Sequence, residues 1–139
     1  PPPPPNMTLF PYTTLFRSQV VVCSNLFGDI LTDLGAAISG GMGLAAGANL
    51  NPERTYPSMF EPIHGSAPDI AGTGKANPLA SIWSASQMLD FFGHPEWGRR
   101  LLAIIEAMLV EKTILTPDMG GTATTSEVGD EVVKRIEEA

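Results

Sequence analysis

Apolar residues recur at helical spacing near the start of this chain and again in its second half. The first such stretch predicts a helix over Leu26–Ile38, which Gly40 and Gly41 would end because glycine commonly follows a helix. Its apolar face, expected to be buried, comprises Phe27, Ile30, Leu31, Leu34 and Ile38.

Three further helices are predicted downstream. Asn77 would cap the second helix with Pro78 at its first position, and Gly93 would end it. The third opens at Pro95 or Glu96, and Thr124-x-x-Glu127 is a capping box that starts the fourth. The inward side chains are predicted to be Leu79, Ile82, Trp83, Leu89 and Phe92 in the second helix, Leu101, Ile104, Ile105 and Met108 in the third, and Val128, Val132 and Ile136 in the fourth.

Short strands are predicted between these helices. The β-branched run Gln19–Cys23 indicates a buried strand, and shorter strands are expected at 42–44, 58–60 and 113–116. Strands that alternate with helices define the α/β class. They are too few for a complete sheet of ordinary size, so we expect part of a larger domain.

The first 18 residues differ from the rest of the chain. They hold six of the 13 prolines and have no consistent period. Residues 8–18, TLFPYTTLFRS, resemble the translation of a sequencing adapter, although a natural proline-rich tail has the same composition. We therefore expect 1–18 to be a non-native or disordered leader and 19–139 to be the functional part.

Charge and composition exclude several functions. The formal net charge of −7 argues against a nucleic-acid surface, which needs clustered Lys and Arg. No apolar run reaches the roughly 18 residues of a membrane span. The single cysteine, Cys23, excludes an internal disulfide and fits a reducing cytoplasm.

Two carboxylates lie one helical turn apart on the first helix. Asp29 and Asp33 would project from one face, where together they could bind a hard cation such as Mg²⁺ or Mn²⁺. The same spacing is also typical of acidic residues that only face water. The residues alone leave both interpretations open.

Residues 60–78, FEPIHGSAPDIAGTGKANP, are the most informative stretch. A loop rich in Gly, Ala and Pro leaves backbone N–H groups accessible, and a helix start follows it. Such a loop suits an anionic, hydroxyl-bearing ligand such as a nucleotide, but an ordinary surface turn has a similar composition. It is not a Rossmann fingerprint, because no G-x-G-x-x-G follows a strand.

This loop resembles the cofactor loop of the metal-dependent decarboxylating dehydrogenases that act on isopropylmalate, isocitrate, tartrate and D-malate. Ser24–Ala37 resembles their metal-binding helix, and residues 116–125 resemble their C-terminal loop. Residues 49–53, 57–61 and 82–92 are most similar to the tartrate and D-malate branch. The implied fold is an incomplete isopropylmalate-dehydrogenase-like α/β/α fold rather than a Rossmann fold.

The resemblance implies a set of cofactor-binding residues and a metal pair. Asp69 would accept hydrogen bonds from both ribose hydroxyls and repel a 2′-phosphate, which implies NAD rather than NADP. Asn77 would reach the adenine through the amide N–H₂ that its capping role leaves free, and Asp29 and Asp33 would bind Mg²⁺ or Mn²⁺. The implied cofactor-binding residues are Glu61, His64, Gly65, Ser66, Ala67, Asp69 and Asn77.

The implied activity is oxidative decarboxylation of a small 2-hydroxy acid by a cytoplasmic enzyme, homodimeric in its full length. The family's acid–base Lys and Tyr and its substrate-binding arginines fall outside the resembling residues, so no catalytic residue is assigned. We expect this stretch alone to be inactive. An isopropylmalate or isocitrate dehydrogenase is the alternative within the family, and a non-catalytic nucleotide-binding or dimerisation module is the alternative outside it.

Overall fold

The computed structural model describes residues 21–138, and the predicted leader lies outside them. The chain divides into two compact units, one ending at Ser39 and the other beginning at Gly40. Each unit is described by itself below.

The first unit contains helix α1, Asn25–Ile38, which confirms the predicted helix. Its predicted burial is wrong for most of the apolar face: Phe27, Ile30, Leu34 and Ile38 are exposed, and Ala36 is the buried residue of this helix. Residues 21–38 offer no second helix or strand that could cover this face. The amphipathic pattern therefore specifies the helix but not the surface that would cover its apolar face.

The strand predicted over Gln19–Cys23 is also wrong within the described residues. Residues 21–23 have no regular structure, and Val22 is 94% exposed; Gln19 and Val20 lie outside the described range. A β-branched run becomes a strand only where another strand pairs with it, and residues 21–39 provide none.

In the second unit, strands β1 (Ala46–Asn49) and β2 (Met59–Pro62) form an antiparallel pair. Ala46 lies opposite Pro62, and Asn49 lies opposite Met59. The strand predicted at 58–60 is thus confirmed with a shifted boundary. The strands predicted at 42–44 and 113–116 are wrong, since the former is a 3-10 turn and the latter is irregular.

Helices α2 (Leu79–Phe91), α3 (Pro95–Glu111) and α4 (Thr125–Glu138) build the core of this unit. Phe92 was expected in the core but is 58% exposed, because it lies just beyond the end of α2. The predicted core is otherwise largely confirmed. The fully enclosed cluster comprises Leu79, Ile104, Ile105, Met108, Val128 and Val132.

Two polar links fix the elements that surround the core. Arg54, in the β1–β2 connection, donates a hydrogen bond to the carbonyl of Phe91 at the end of α2 and lies 4.8 Å from the Phe91 ring centroid. Arg135 on α4 binds Glu131 at 2.7 Å and Glu111 on α3 at 2.5 Å. The Arg135 guanidinium lowers the pKa of the Glu111 carboxyl below its ordinary value.

None of the helices between residues 21 and 138 combines the length and apolar character needed to cross a lipid bilayer.

Candidate functional site

The loop between β2 and α2 is fixed to the sheet at its start. The N–H of Ile63 donates to the carbonyl of Ala45 at 2.9 Å. Ala67 then adopts a left-handed conformation, φ 42°, and Pro68–Ile70 form a short 3-10 turn. Thr73 closes that turn, because its hydroxyl donates to the carbonyl of Ile70 at 2.7 Å. The hydrogen bonds between residues 67 and 73 therefore lie within the loop itself.

The predicted cofactor-binding residues of this loop are accessible to a ligand. Asp69 is exposed in the 3-10 turn, and Glu61 is exposed at the end of β2. His64 is half-buried, and its Nδ1 lies 3.1 Å from the carbonyl oxygen of Gly65. The structure thus brings these residues together in one open stretch of chain. The remaining exposed members of the predicted set are Gly65, Ser66 and Ala67.

Asn77 lies at the end of the loop and is 9% exposed. Its Oδ1 accepts a hydrogen bond from the N–H of Leu79, the first residue of α2, at 3.0 Å. The predicted positions are shifted by one residue, because Pro78 rather than Asn77 is the N-cap of α2. The Nδ2 of Asn77 donates to Oδ2 of Asp118 at 3.0 Å. The expectation that the whole amide N–H₂ group stays free is therefore wrong, because Asp118 engages one of its two N–H bonds.

Asp118 was not singled out by the sequence. It lies in a short 3-10 turn, Pro117–Met119, and reaches Asn77 across 41 residues of chain. A Cβ added to Gly43 would lie 2.5 Å from Asp118 Oδ2 and 3.0 Å from Asn77 Nδ2. Only glycine fits at position 43 without displacing this pair. The similarity of residues 116–125 to the family's C-terminal loop was the one signal that pointed there.

Helix α4 begins with a capping box in which both reciprocal hydrogen bonds are formed. The N–H of Thr124 donates to Glu127 Oε2 at 2.7 Å, and the N–H of Glu127 donates to Thr124 Oγ1 at 3.3 Å. The hydrogen bonds from the Thr124 backbone and hydroxyl lower the pKa of Glu127 below its ordinary value.

The carboxylate pair belongs to the other unit. Asp29 and Asp33 are both exposed on α1, and Asp29 Oδ2 accepts a hydrogen bond from Asn25 Nδ2 at 3.4 Å. Oxygen donors suit a hard divalent cation, but within residues 21–138 no three His, Cys, Asp or Glu side chains come together as a metal site. The pair fits part of a Mg²⁺ or Mn²⁺ shell and leaves the other positions to other oxygens.

Sequence comparison defines the class of protein. The profile described as isocitrate/isopropylmalate dehydrogenase matches residues 7–132, and the chain belongs to this family. Over 118 residues it is 53% identical to a probable tartrate dehydrogenase/decarboxylase of Bacillus subtilis, covering 85% of this chain and 33% of that protein.

Two further relatives span the family's branches. The chain is 54% identical over 125 residues to a D-malate dehydrogenase [decarboxylating] of Escherichia coli, covering 86% of this chain and 34% of that protein. It is 50% identical over 129 residues to a 3-isopropylmalate dehydrogenase of Beutenbergia cavernae, with coverage of 93% and 35%. The chain therefore spans about a third of the length of these relatives.

Solved structures confirm the predicted fold class. The crystal structure of isocitrate dehydrogenase from Methylococcus capsulatus superposes with a TM-score of 0.79 at 39% identity, covering 91% of this chain and 38% of that one. A beta-decarboxylating dehydrogenase from Thermococcus kodakarensis gives 0.76 at 39% identity, with coverage of 91% and 37%. The helices and strands described above thus form part of this family's α/β fold.

Proposed function

We propose that this chain supplies the NAD-binding loop and the metal-binding helix of a decarboxylating dehydrogenase that acts on a tartrate- or D-malate-type 2-hydroxy acid. The observation that carries the proposal is the open loop from His64 to Asn77, which is held at both ends while the side chains of Ser66 and Asp69 stay exposed. Identity above 50% to the tartrate- and D-malate-named relatives supports the choice of branch.

Asp69 sets the preference for NAD. Its exposed carboxylate can accept hydrogen bonds from both hydroxyls of the adenosine ribose. The 2′-phosphate of NADP would instead place two negative groups in contact, which is unfavourable in any dielectric.

The neighbouring residues complete the nucleotide site. His64, Gly65, Ser66 and Ala67 line the adenosine and phosphate side, where small side chains let a ligand approach the backbone N–H groups. Asn77 offers the adenine edge the N–H bond that Asp118 does not use. Glu61 lies toward the nicotinamide end.

Asp29 and Asp33 hold the divalent cation. Mg²⁺ or Mn²⁺ at this pair would supply Lewis-acid polarisation of the substrate oxygen that becomes a carbonyl. Two carboxylates alone would leave an octahedral shell incomplete, so water, the substrate and a carboxylate of a second subunit would have to supply the remaining oxygens. A ligand from a second subunit implies a homodimer of the full-length protein. The net charge of −7 and the single cysteine favour a cytoplasmic location with no nucleic-acid or membrane partner.

Isopropylmalate and isocitrate are the competing substrates. The 50% identity to a 3-isopropylmalate dehydrogenase supports that second candidate, because the residues described here contact the cofactor and the metal rather than the substrate's distinguishing group. The competing function outside the enzyme class is a non-catalytic module that binds a nucleotide.

Spectrophotometry of NAD reduction tests the proposal. The full-length gene product, supplied with Mn²⁺ and NAD, should oxidise tartrate or D-malate faster than isopropylmalate or isocitrate, and EDTA should abolish the signal. NADP should support a much lower kcat/KM than NAD. Absence of NAD reduction with all four acids, together with measurable NAD binding, would instead establish the non-catalytic module.

The same assay applied to the 139-residue chain alone should give no NAD reduction. Turnover by that chain would contradict our proposal that the proton-transfer groups lie outside it.

A further inference from the structure

One threonine of helix α4 holds the exit of the cofactor loop. The hydroxyl of Thr125 donates to the carbonyl of Ala76 at 2.5 Å, and its backbone N–H donates to the carbonyl of Gly74 at 2.7 Å. These two hydrogen bonds, the Thr125 link, join positions 49 and 51 residues apart in the chain. No sequence motif assigns a role to Thr125.

The side of the link that belongs to α4 is rigid. Thr125 is the first residue of α4, directly after the capping-box Thr124. One turn further on, Val128 is fully buried, and Val132 is 3% exposed in the same core cluster. The core therefore fixes the position of the Thr125 hydroxyl.

The other side of the link is the exposed loop. Residues 65–76 are exposed, and the hydrogen bonds of the 3-10 turn run within the loop itself. The carbonyl of Ala76 belongs to the same peptide plane as the N–H of Asn77. A hydrogen bond to that carbonyl thus orients the peptide from which the Asn77 side chain projects.

We propose that Thr125 is a positioning residue for nucleotide binding: its hydroxyl fixes the Ala76–Asn77 peptide and so presents Asn77 and the loop to NAD. This inference rests on the proposed function. A threonine that only stabilises the start of α4 would change the free energy of unfolding without a selective change in NAD binding. Measurement of both quantities therefore separates the two roles.

Thr125→Val in the full-length gene product is the central variant, since it removes the hydroxyl but keeps the shape and the backbone N–H bond to Gly74. We expect KM for NAD to rise about three- to tenfold, the effect of losing one hydrogen bond, while kcat and KM for the hydroxy acid stay within about twofold. Thr125→Ser keeps the hydroxyl and should restore most of the NAD affinity. The matched control is Thr113→Val, which replaces an exposed threonine two residues beyond the end of α3.

Amide hydrogen exchange measures how often the loop opens, and it needs no bound cofactor. Thr125→Val should accelerate exchange of the 64–77 backbone and tryptic cleavage after the exposed Lys75, and Thr113→Val should change neither. An unchanged KM for NAD in Thr125→Val, or equal increases in KM for NAD and for the acid, would overturn the positioning role.

Failure of the proposed function has a different signature. If the wild-type protein reduces no NAD, that function is refuted irrespective of Thr125. If amide hydrogen exchange of residues 64–77 is also the same in Thr125→Val and wild type, the positioning role of Thr125 is refuted independently of the proposed function.

Discussion

Helix α1 has an apolar stripe as clear as those of α3 and α4, and clearer than that of α2, yet it differs from all three in burial. Leu34 and Ile30 of α1 are 45% and 55% exposed, whereas Leu79 of α2 and Met108 of α3 are 1% exposed. The same pattern of spacing therefore leads to a core in one region and to a solvated face in the other.

The difference separates two steps of folding. Periodicity and end signals specify a helix locally, since they depend on residues three or four apart. Burial needs a complementary surface, which α2, α3 and α4 provide for one another. Residues 21–39 provide no such surface for α1, although its two candidate metal ligands are exposed on this helix.

Matched leucine truncations should show this contrast most strongly. Leu79→Ala removes a fully buried side chain and should lower the free energy of unfolding by about 2–5 kcal/mol. Leu34→Ala should change it by less than about 0.5 kcal/mol. Urea unfolding of the 139-residue chain, to which these exposures apply, measures both, and a large loss in Leu34→Ala would show that another surface covers α1.

Matched glycine substitutions come next. Gly43→Ala places a methyl group against the Asn77–Asp118 pair and should cost about 1–3 kcal/mol, with weaker NAD binding. Gly35→Ala, in α1, meets nothing within 4 Å and should stabilise the protein by about 0.5–1 kcal/mol, since alanine favours helix. Thermal unfolding and NAD titration give the two results; a neutral Gly43→Ala would contradict the close packing.

Substitution of one acid in each region should dissociate the two proposed sites. Asp33→Asn should raise the Mn²⁺ concentration needed for half-maximal activity by about ten- to a hundredfold and leave the Kd for NAD unchanged. Asp69→Asn should weaken NAD binding, narrow the preference for NAD over NADP and leave the Mn²⁺ requirement unchanged. Calorimetric titrations with each ligand measure these effects, and a variant that lost both ligands equally would argue against separate sites.

The two helix starts differ as well. Thr124 makes reciprocal hydrogen bonds with Glu127, whereas Ser24, the N-cap of α1, makes no side-chain capping bond. Thr124→Ala should therefore cost about 1 kcal/mol, and Ser24→Ala should be close to neutral. Urea unfolding compares the pair; equal effects would show that the hydrogen bonds of the capping box contribute nothing.

The smallest expected effect is a pH dependence at α4. Because hydrogen bonds lower the folded-state pKa of Glu127, its contribution is fully present above the unfolded value of about 4.3 and is lost as pH falls through the folded value. Glu127→Gln should make the loss of stability between pH 5 and 3 shallower, as urea midpoints across that range would show. An unchanged slope would mean that this carboxylate does not contribute to acid sensitivity.

Much of the helical part of the fold was predictable because its signals are local. The helix start directly after Asn77 and Pro78, the Thr124–Glu127 box and the inward Ile104, Ile105 and Met108 all follow from neighbours in sequence, and the structure confirms them. The family resemblance, carried mainly by residues 60–78 and 24–37, supplied the fold class that the comparisons confirm.

The errors concern pairings between distant residues. Ala46–Asn49, with its low β-propensity, becomes a strand only because β2 pairs with it, and the β-branched Val21 and Val22 have no partner within the described residues. Asp118 and Thr125 were missed for the same reason, because each acts on a loop more than 40 residues away.

Asn77 has a consequence for how nucleotide preference in this protein can change. Its oxygen accepts a hydrogen bond from the N–H of Leu79 and its nitrogen donates one to Asp118, so one amide joins the first turn of α2 to the 117–119 turn. An aspartate there would keep the hydrogen bond from Leu79 but confront Asp118 with a second negative charge, and an alanine would lose both contacts. In the proposed nucleotide site, a change of cofactor specificity is therefore easier at the exposed Asp69, where a replacement breaks neither of these contacts.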